Sequence, residues 1–170
     1  MSTTQQTIQV AVPLRTAYNQ WTQFTTFPRF MTVVKGVEQV RPTLTHWVLG
    51  IGPVRRRFAA EILEQEPDTR LVWRTLDSRH EGDVTFRSSG PDRTMITVRV
   101  RIGRGGIASA LLNVTGLTRR VVGAELTHFK EFIEGLGQEV GAWRGTIRNG
   151  HVRPLEPEPP RSRVPRWPVG

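Results

Sequence analysis

From Val33 to Ile102 the chain alternates apolar and polar residues in short runs, most of them cut by a Pro- or Gly-containing turn. After the glycines of 103–106 the apolar period becomes three and four. This single switch of period constrains the fold most: short turn-linked runs of period two predict an antiparallel meander, and the later period predicts one amphipathic helix.

The predicted strands are Thr7–Val12, Val33–Arg41, Leu44–Leu49, Arg55–Gln65, Leu71–Leu76, Glu81–Ser88 and Thr94–Ile102. Alternation assigns Trp47, Leu49, Phe58, Ala60, Ile62, Leu71, Trp73, Val84, Phe86, Ile96, Val98 and Val100 to one face. Thr85, Arg87, Arg99 and Arg101 fall on the other, so one face of the sheet meets water. From Leu117 to Leu136 the residues Val121, Val122, Leu126, Phe129, Phe132, Ile133 and Leu136 form a stripe about 140° wide, the face of a helix that packs on a core. One helix about 10–12 Å across cannot cover six or seven strands spaced about 4.8 Å apart. Some inward residues must therefore meet the first helical segment or a cavity.

That first segment is ring-rich. Tyr18, Trp21, Phe24, Phe27 and Phe30 recur at every third residue. On a straight α-helix such a row drifts by about 60° per step, so one helix cannot bury all five. A helix is expected from Arg15 to Thr25, and Thr26-Phe27-Pro28 is expected to restart the chain in a second helical turn. On this reading Trp21, Phe24 and Phe27 seal the core, while Phe30 and Met31 form the lid of a cavity.

The chain has 170 residues, a hydrophobic fraction of 37% and no cysteine. It reads as one domain at 1–150, without disulfides or thiolate chemistry. The final twenty residues hold six of the twelve prolines, so 151–170 reads as an extended or disordered tail. Met1 to Leu14 is polar and no apolar run approaches the roughly 18 residues of a membrane span, which leads us to expect a cytoplasmic protein. The net charge of +9 invites an anionic partner. Of the 24 basic residues, however, only Lys35 and Lys130 are lysines, and the arginines are dispersed. The pattern argues against a dedicated nucleic-acid footprint.

The segments "VPLRTAYNQWTQFTTFPRFM", "FAAEILEQEPDTRLVWRT", "GDVTF", "TMITVRV", "LTHFKEFIE" and "GAWRGTI" occur in an order and spacing that resemble the START-like (SRPBCC) superfamily, in its bacterial polyketide cyclase/dehydrase-type branch. The resemblance covers about residues 7–147. It implies an α+β helix-grip fold, a curved antiparallel sheet of six to seven strands wrapped around a long C-terminal helix with a cavity between them. It further implies binding of a hydrophobic or aromatic small molecule such as a lipid, quinone or polyketide, with polyketide cyclase/dehydrase (aromatase) activity in some members. A non-enzymatic lipid or quinone carrier, or an accessory module whose basic surface contacts membranes or RNA, is the alternative. The resemblance marks no catalytic residue and no oligomeric state.

Residue chemistry supplies the candidates. Glu125 lies inside the helical stripe, where a carboxylate is costly unless paired. It reads as a general acid or base, an anchor for a ligand hydroxyl, or a structural acid paired with an inner Arg or a strand hydroxyl. His128, three residues on, is within helical reach of it. Trp47, Phe58, Trp73, Phe86, Phe129 and Phe132 are candidate ligand-binding walls as well as core. The histidines lack metal-ligand spacing, so no metal is expected. "GRGGIA" at 103–108 satisfies G-x-G-x-x-A, but no strand pattern follows its helix, so it reads as a glycine turn and no cofactor is expected. Asn113-Val114-Thr115 matches a glycosylation sequon without a secretory context.

Overall fold

In the computed structural model, residues 2–103 and 117–153 are described. The segment 104–116, with most of "GRGGIA" and all of the sequon, and residues 154–170 lie outside them. Among the described residues no helix is long and apolar enough to cross a membrane.

The meander forms as its alternation requires: β2 (Val34–Arg41), β3 (Leu44–Ile51), β4 (Val54–Glu66), β5 (Arg70–Thr75), β6 (His80–Gly90) and β7 (Arg93–Ile102) pair in sequence, all antiparallel. The N-terminal strand β1 (Ser2–Val10) crosses over to pair with β7, giving the order β1-β7-β6-β5-β4-β3-β2. β1 starts well before the expected Thr7 because its outward positions are polar and solvated. The long ladder to β7, from Ser2 opposite Ile102 to Val10 opposite Thr94, holds it in the sheet. Register shifts in β2, β4 and β6 mark bulges, which bend and twist strands.

The outward face carries arginines that pair with acids on neighbouring strands. Arg74 meets Glu61 at 2.9 Å, Arg99 meets Asp83 at 3.1 Å, Arg101 meets Glu81 at 2.7 Å, and Arg70 pairs with Glu64. Each of these exposed cross-strand pairs contributes little, about 0–1 kcal/mol.

The long helix, here α2 (Leu117–Leu136), has the bounds its periodicity gives. Leu126, Phe129 and Ile133 are buried in the common core. Leu136, at the end of the expected stripe, is exposed. The helix stops there: Gly137 adopts φ +73° and its N–H returns to the Ile133 carbonyl at 2.8 Å, a left-handed C-terminal cap.

The ring-rich segment differs from expectation. α1 spans only Leu14–Trp21, and Phe24–Arg29 is a 3-10 helix with Pro28 inside it. The break therefore falls at Thr22-Gln23, not at Thr26–Pro28, and Phe24 belongs to the second helix. Two hydroxyls take carbonyls at these ends: Thr22 donates to Asn19 O and Thr26 to Gln23 O, each at 2.6 Å. A 3-10 helix has three residues per turn, so side chains three apart eclipse. The three-residue spacing that an α-helix cannot bury thus places Phe24 and Phe27 on one buried face, and their rings meet edge to face at 5.7 Å.

Two further strands, β8 (Thr146–Arg148) and β9 (His151–Arg153), raise the sheet to nine. β3 pairs with β4 only as far as Leu44 opposite Glu61. Beyond that point Ile147 of β8 takes the edge of β4 opposite Gln65. The hairpin turns on Asn149 (φ +51°) and Gly150 (φ +74°), both left-handed, as the tightest hairpin turn demands. β9 lies in the first three residues of the segment expected as a tail.

The link from α2 to β8 bolts α1 to the sheet. Arg144 donates two hydrogen bonds to Asp68 (3.0 and 2.7 Å) and one to Asn19 (2.6 Å), while its guanidinium lies 5.6 Å from the Tyr18 ring centre. The Trp143 N–H donates to Thr22 Oγ1 at 3.0 Å and the Val140 N–H to Gln20 Oε1 at 2.9 Å. Arg144→Ala is expected to lower unfolding free energy by about 2 kcal/mol, since it strips charge-assisted bonds from partly buried partners. Arg101→Ala, on the solvated face, is expected to cost under about 1 kcal/mol. Urea denaturation of the two variants checks the contrast; equal losses would contradict it.

Candidate functional site

Between the concave sheet face and α2 lies a cavity of about 470 Å³, the size of an ordinary small-molecule site. Its residues follow from strand parity. Trp47 and Leu49 on β3, Phe58, Ala60 and Ile62 on β4, and Leu71 and Trp73 on β5 all project inward and line it. Val84, Val98 and Val100 continue the wall on β6 and β7, and Val121, Val122, Glu125 and Leu126 close it from α2. Trp47 and Phe58 are register partners whose rings lie parallel, 4° apart. Trp73 lies over Gly82, its partner on β6; a Cβ there would sit 2.5 Å from the indole. Glycine at 82 thus lets the ring lie flat on the sheet instead of filling the void.

The expected site residues divide. Met31, Trp47, Phe58, Trp73 and Glu125 line the cavity. Phe86, Phe129, Phe132 and Phe30 are not among its walls. Phe86 is buried under Tyr18 and Trp21, with ring centres 5.3 and 5.9 Å away. Phe129 sits between Trp21 (4.9 Å) and Phe30 (5.6 Å). Phe30 stacks on Phe132 at 4.6 Å, so its ring turns along the helix and not over the cavity, and Met31 alone of the expected lid faces inward. Trp21, Phe24 and Phe27 line the cavity as well as sealing the core.

Glu125 is 6% exposed. Its Oε1 accepts from the Thr32 N–H (3.3 Å) and hydroxyl (3.1 Å), and His128 Nδ1 lies 3.1 Å from the same oxygen. Of the two structural partners expected, an inner Arg or a strand hydroxyl, it is a hydroxyl that pairs with Glu125, and it comes from the chain just before β2. Oε2 is buried without a partner, and an unmade bond to such a group is expensive. His128 is a third exposed at its side chain and supports Glu125 from the helix margin.

Sequence reasoning overlooked six polar wall residues, Thr45, Arg56, Arg57, Thr75, Asp77 and His80. Arg56 shares the inward parity of Phe58, Ala60 and Ile62, and Asp77 that of Leu71 and Trp73, so parity alone could have found both. Thr45 is satisfied: its hydroxyl donates to Ala60 O and accepts from Trp47 Nε1 at 2.7 Å. Asp77 accepts from the Thr75 hydroxyl (2.6 Å) and the Arg79 N–H (3.0 Å); chiefly the first bond holds its carboxyl below the usual range. His80 Nδ1 accepts from the Gly103 N–H at 3.2 Å, which puts the neutral ring's proton on Nε2. Burial pushes the His80 pKa below 6.5. Among the described residues no group of three or more His, Asp or Glu could hold a metal ion.

The depressed His80 pKa has a signed consequence. As pH falls through 6.5, the ordinary value, the unfolded chain takes up a proton that the folded chain resists, so stability drops on acidification. His80→Asn keeps an acceptor for Gly103 and removes the titration. Its melting temperature is expected to fall less than that of the parent between about pH 7 and pH 5; equal slopes in a pH series of thermal melts would contradict this.

An open antiparallel sheet, a long C-terminal helix and an apolar cavity between them define a START-like helix-grip protein. The chain belongs to the polyketide cyclase / dehydrase and lipid transport family, which matches residues 10–122. A relative from Streptomyces lincolnensis, an uncharacterized 17.2 kDa protein of the melC2-rnhH intergenic region, is 42% identical over 149 residues, or 86% of this chain and 99% of that one. A START superfamily protein from Mycobacterium smegmatis superposes with a TM-score of 0.59 at 16% identity, covering 79% of this chain and 95% of that one. The di-domain ARO/CYC BexL from the BE-7585A biosynthetic pathway does so with a TM-score of 0.60 at 14% identity, covering 79% of this chain and 47% of that one. These two likenesses show the fold alone; the family and the apolar cavity support a hydrophobic-ligand-binding module.

Proposed function

We propose that the protein binds a hydrophobic or aromatic small molecule bearing a hydroxyl, which donates to Glu125. The observation that carries this is the unpartnered Oε2 of Glu125 in the wall of an otherwise largely apolar cavity. A ligand hydroxyl supplies the missing donor, and the surrounding rings exclude water and strengthen the bond.

A second reading, cyclase or dehydrase chemistry on a polyketide-like chain, draws on the Glu125–His128 contact of 3.1 Å and on the family description. Glu125 would take a proton from the carbon between two ligand carbonyls and return it to the hydroxyl that leaves as water. His128 would hold the carboxylate in place without touching the ligand.

Two variants separate the readings. Ala60→Trp puts an indole into the cavity wall and is expected to abolish binding of the apolar fluorophore N-phenyl-1-naphthylamine; undiminished binding would remove the cavity from the account. Glu125→Gln keeps an acceptor for Thr32. Under the catalytic reading it abolishes turnover of a polyketide-type substrate and changes fluorophore affinity less than about threefold. Unchanged turnover removes Glu125 from the chemistry.

A further inference from the structure

Thr45 and Thr75 lie level with Ala60, but the charged and imidazole wall residues are not scattered around the cavity. In the sheet Val34 faces Leu49, Leu49 faces Arg56, and His80 faces Ile102. β5 ends at Thr75 opposite Ala60, so the turn carrying Asp77 lies level with Arg56 and Phe58. Thr32, which holds Glu125, lies two residues before Val34. Arg56, Asp77, His80 and Glu125 therefore share one end of the cavity. At the other end the register partners are Ile62 with Trp73, Leu71 with Val84, and Val84 with Val98, all apolar. The cavity has a polar end and a greasy end.

The polar end holds unspent donors. Arg56 uses Nη1 on the Arg55 carbonyl at 2.8 Å. Its Nε is buried with no partner, and no acid pairs with it among the described residues. The Nε–Nη2 edge of a guanidinium is one of the two that take a carboxylate through parallel hydrogen bonds. His80, with Nδ1 committed to Gly103, carries its proton on Nε2, a second donor on the same end. The two acids nearby have donors of their own: Asp77 has Thr75 and Arg79, Glu125 has Thr32 and His128.

We infer that the ligand is an amphipathic acid: its carboxylate seats on the free edge of Arg56, next to His80, and its apolar body points toward Ile62, Leu71 and Val84. This deepens the binding reading above and rests on it. It fixes the direction in which a ligand lies, and it assigns Arg56 as the residue that selects acids over their neutral analogues. A buried guanidinium N–H without a partner is costly; a carboxylate offers it a charged, two-oxygen acceptor, where an ester offers only a weaker neutral one.

The experiment uses the full chain at pH 8 and low salt, with cis-parinaric acid and its methyl ester as fluorescent probes. The parent is expected to bind the acid at least about tenfold more tightly than the ester. Arg56→Gln brings the acid down to the ester's affinity and leaves the ester within about twofold. Arg56→Lys, which keeps charge without the planar edge, falls between them. Equal binding of acid and ester by the parent, or equal weakening of both by Arg56→Gln, overturns the assignment. If the ester binds and Ala60→Trp abolishes it while the acid shows no advantage, only this inference falls. If neither probe binds the parent, the cavity reading falls and this inference with it.

Discussion

One helix has to serve a sheet far wider than itself. Seven strands in sequence span roughly 30 Å, against about 10–12 Å for a helix with its side chains. Everything particular to this structure follows from how the uncovered part of the sheet is handled. α2 covers one stretch with Leu126, Phe129 and Ile133. α1 and the 3-10 helix cover another with Tyr18, Trp21, Phe24 and Phe27. What they leave open becomes the cavity, walled by β3 to β7, by the first half of α2, and by Trp21, Phe24, Phe27 and Met31.

The cavity stays open because its neighbours are held away from it. Asn19, Gln20 and Thr22, at the end of α1, are buried polar side chains that bond to the chain between Glu139 and Arg144. That chain continues into β8, which pairs with β4. The C-terminal segment thus fixes α1 from outside the core, with polar bonds that have geometry of their own. Phe30 adds to this by stacking on Phe132 instead of turning inward, and Gly82 lets Trp73 lie against the sheet.

Much of this was legible in the sequence. Strand alternation marked the inward face correctly from Trp47 to Val100, and the stripe from about Leu117 to Leu136 marked α2, because both depend on local period alone. The ring spacing was misread for a physical reason: a repeat of three was tested against the α-helix, when it is the period of the 3-10 helix that forms. The β8–β9 hairpin was missed although Asn149-Gly150 signals such a turn, because the prolines just beyond it drew the whole end into the tail. Parity would have put Arg56 and Asp77 on the cavity wall. That Arg56 and Glu125 lack partners for one atom each could not be read, since partners such as Thr32, 93 residues from Glu125, come from tertiary contacts.

The central claim is that the space between sheet and helix admits an apolar guest. Methyl NMR tests it directly, in ligand-free protein titrated with an apolar acid such as cis-parinaric acid. The account predicts saturable shifts at Met31, Ile62, Leu71, Val84 and Val98, with Leu136, Val140 and Val152 on the exposed surface unmoved. Shifts confined to those three surface residues, with the inward methyls silent, would contradict it.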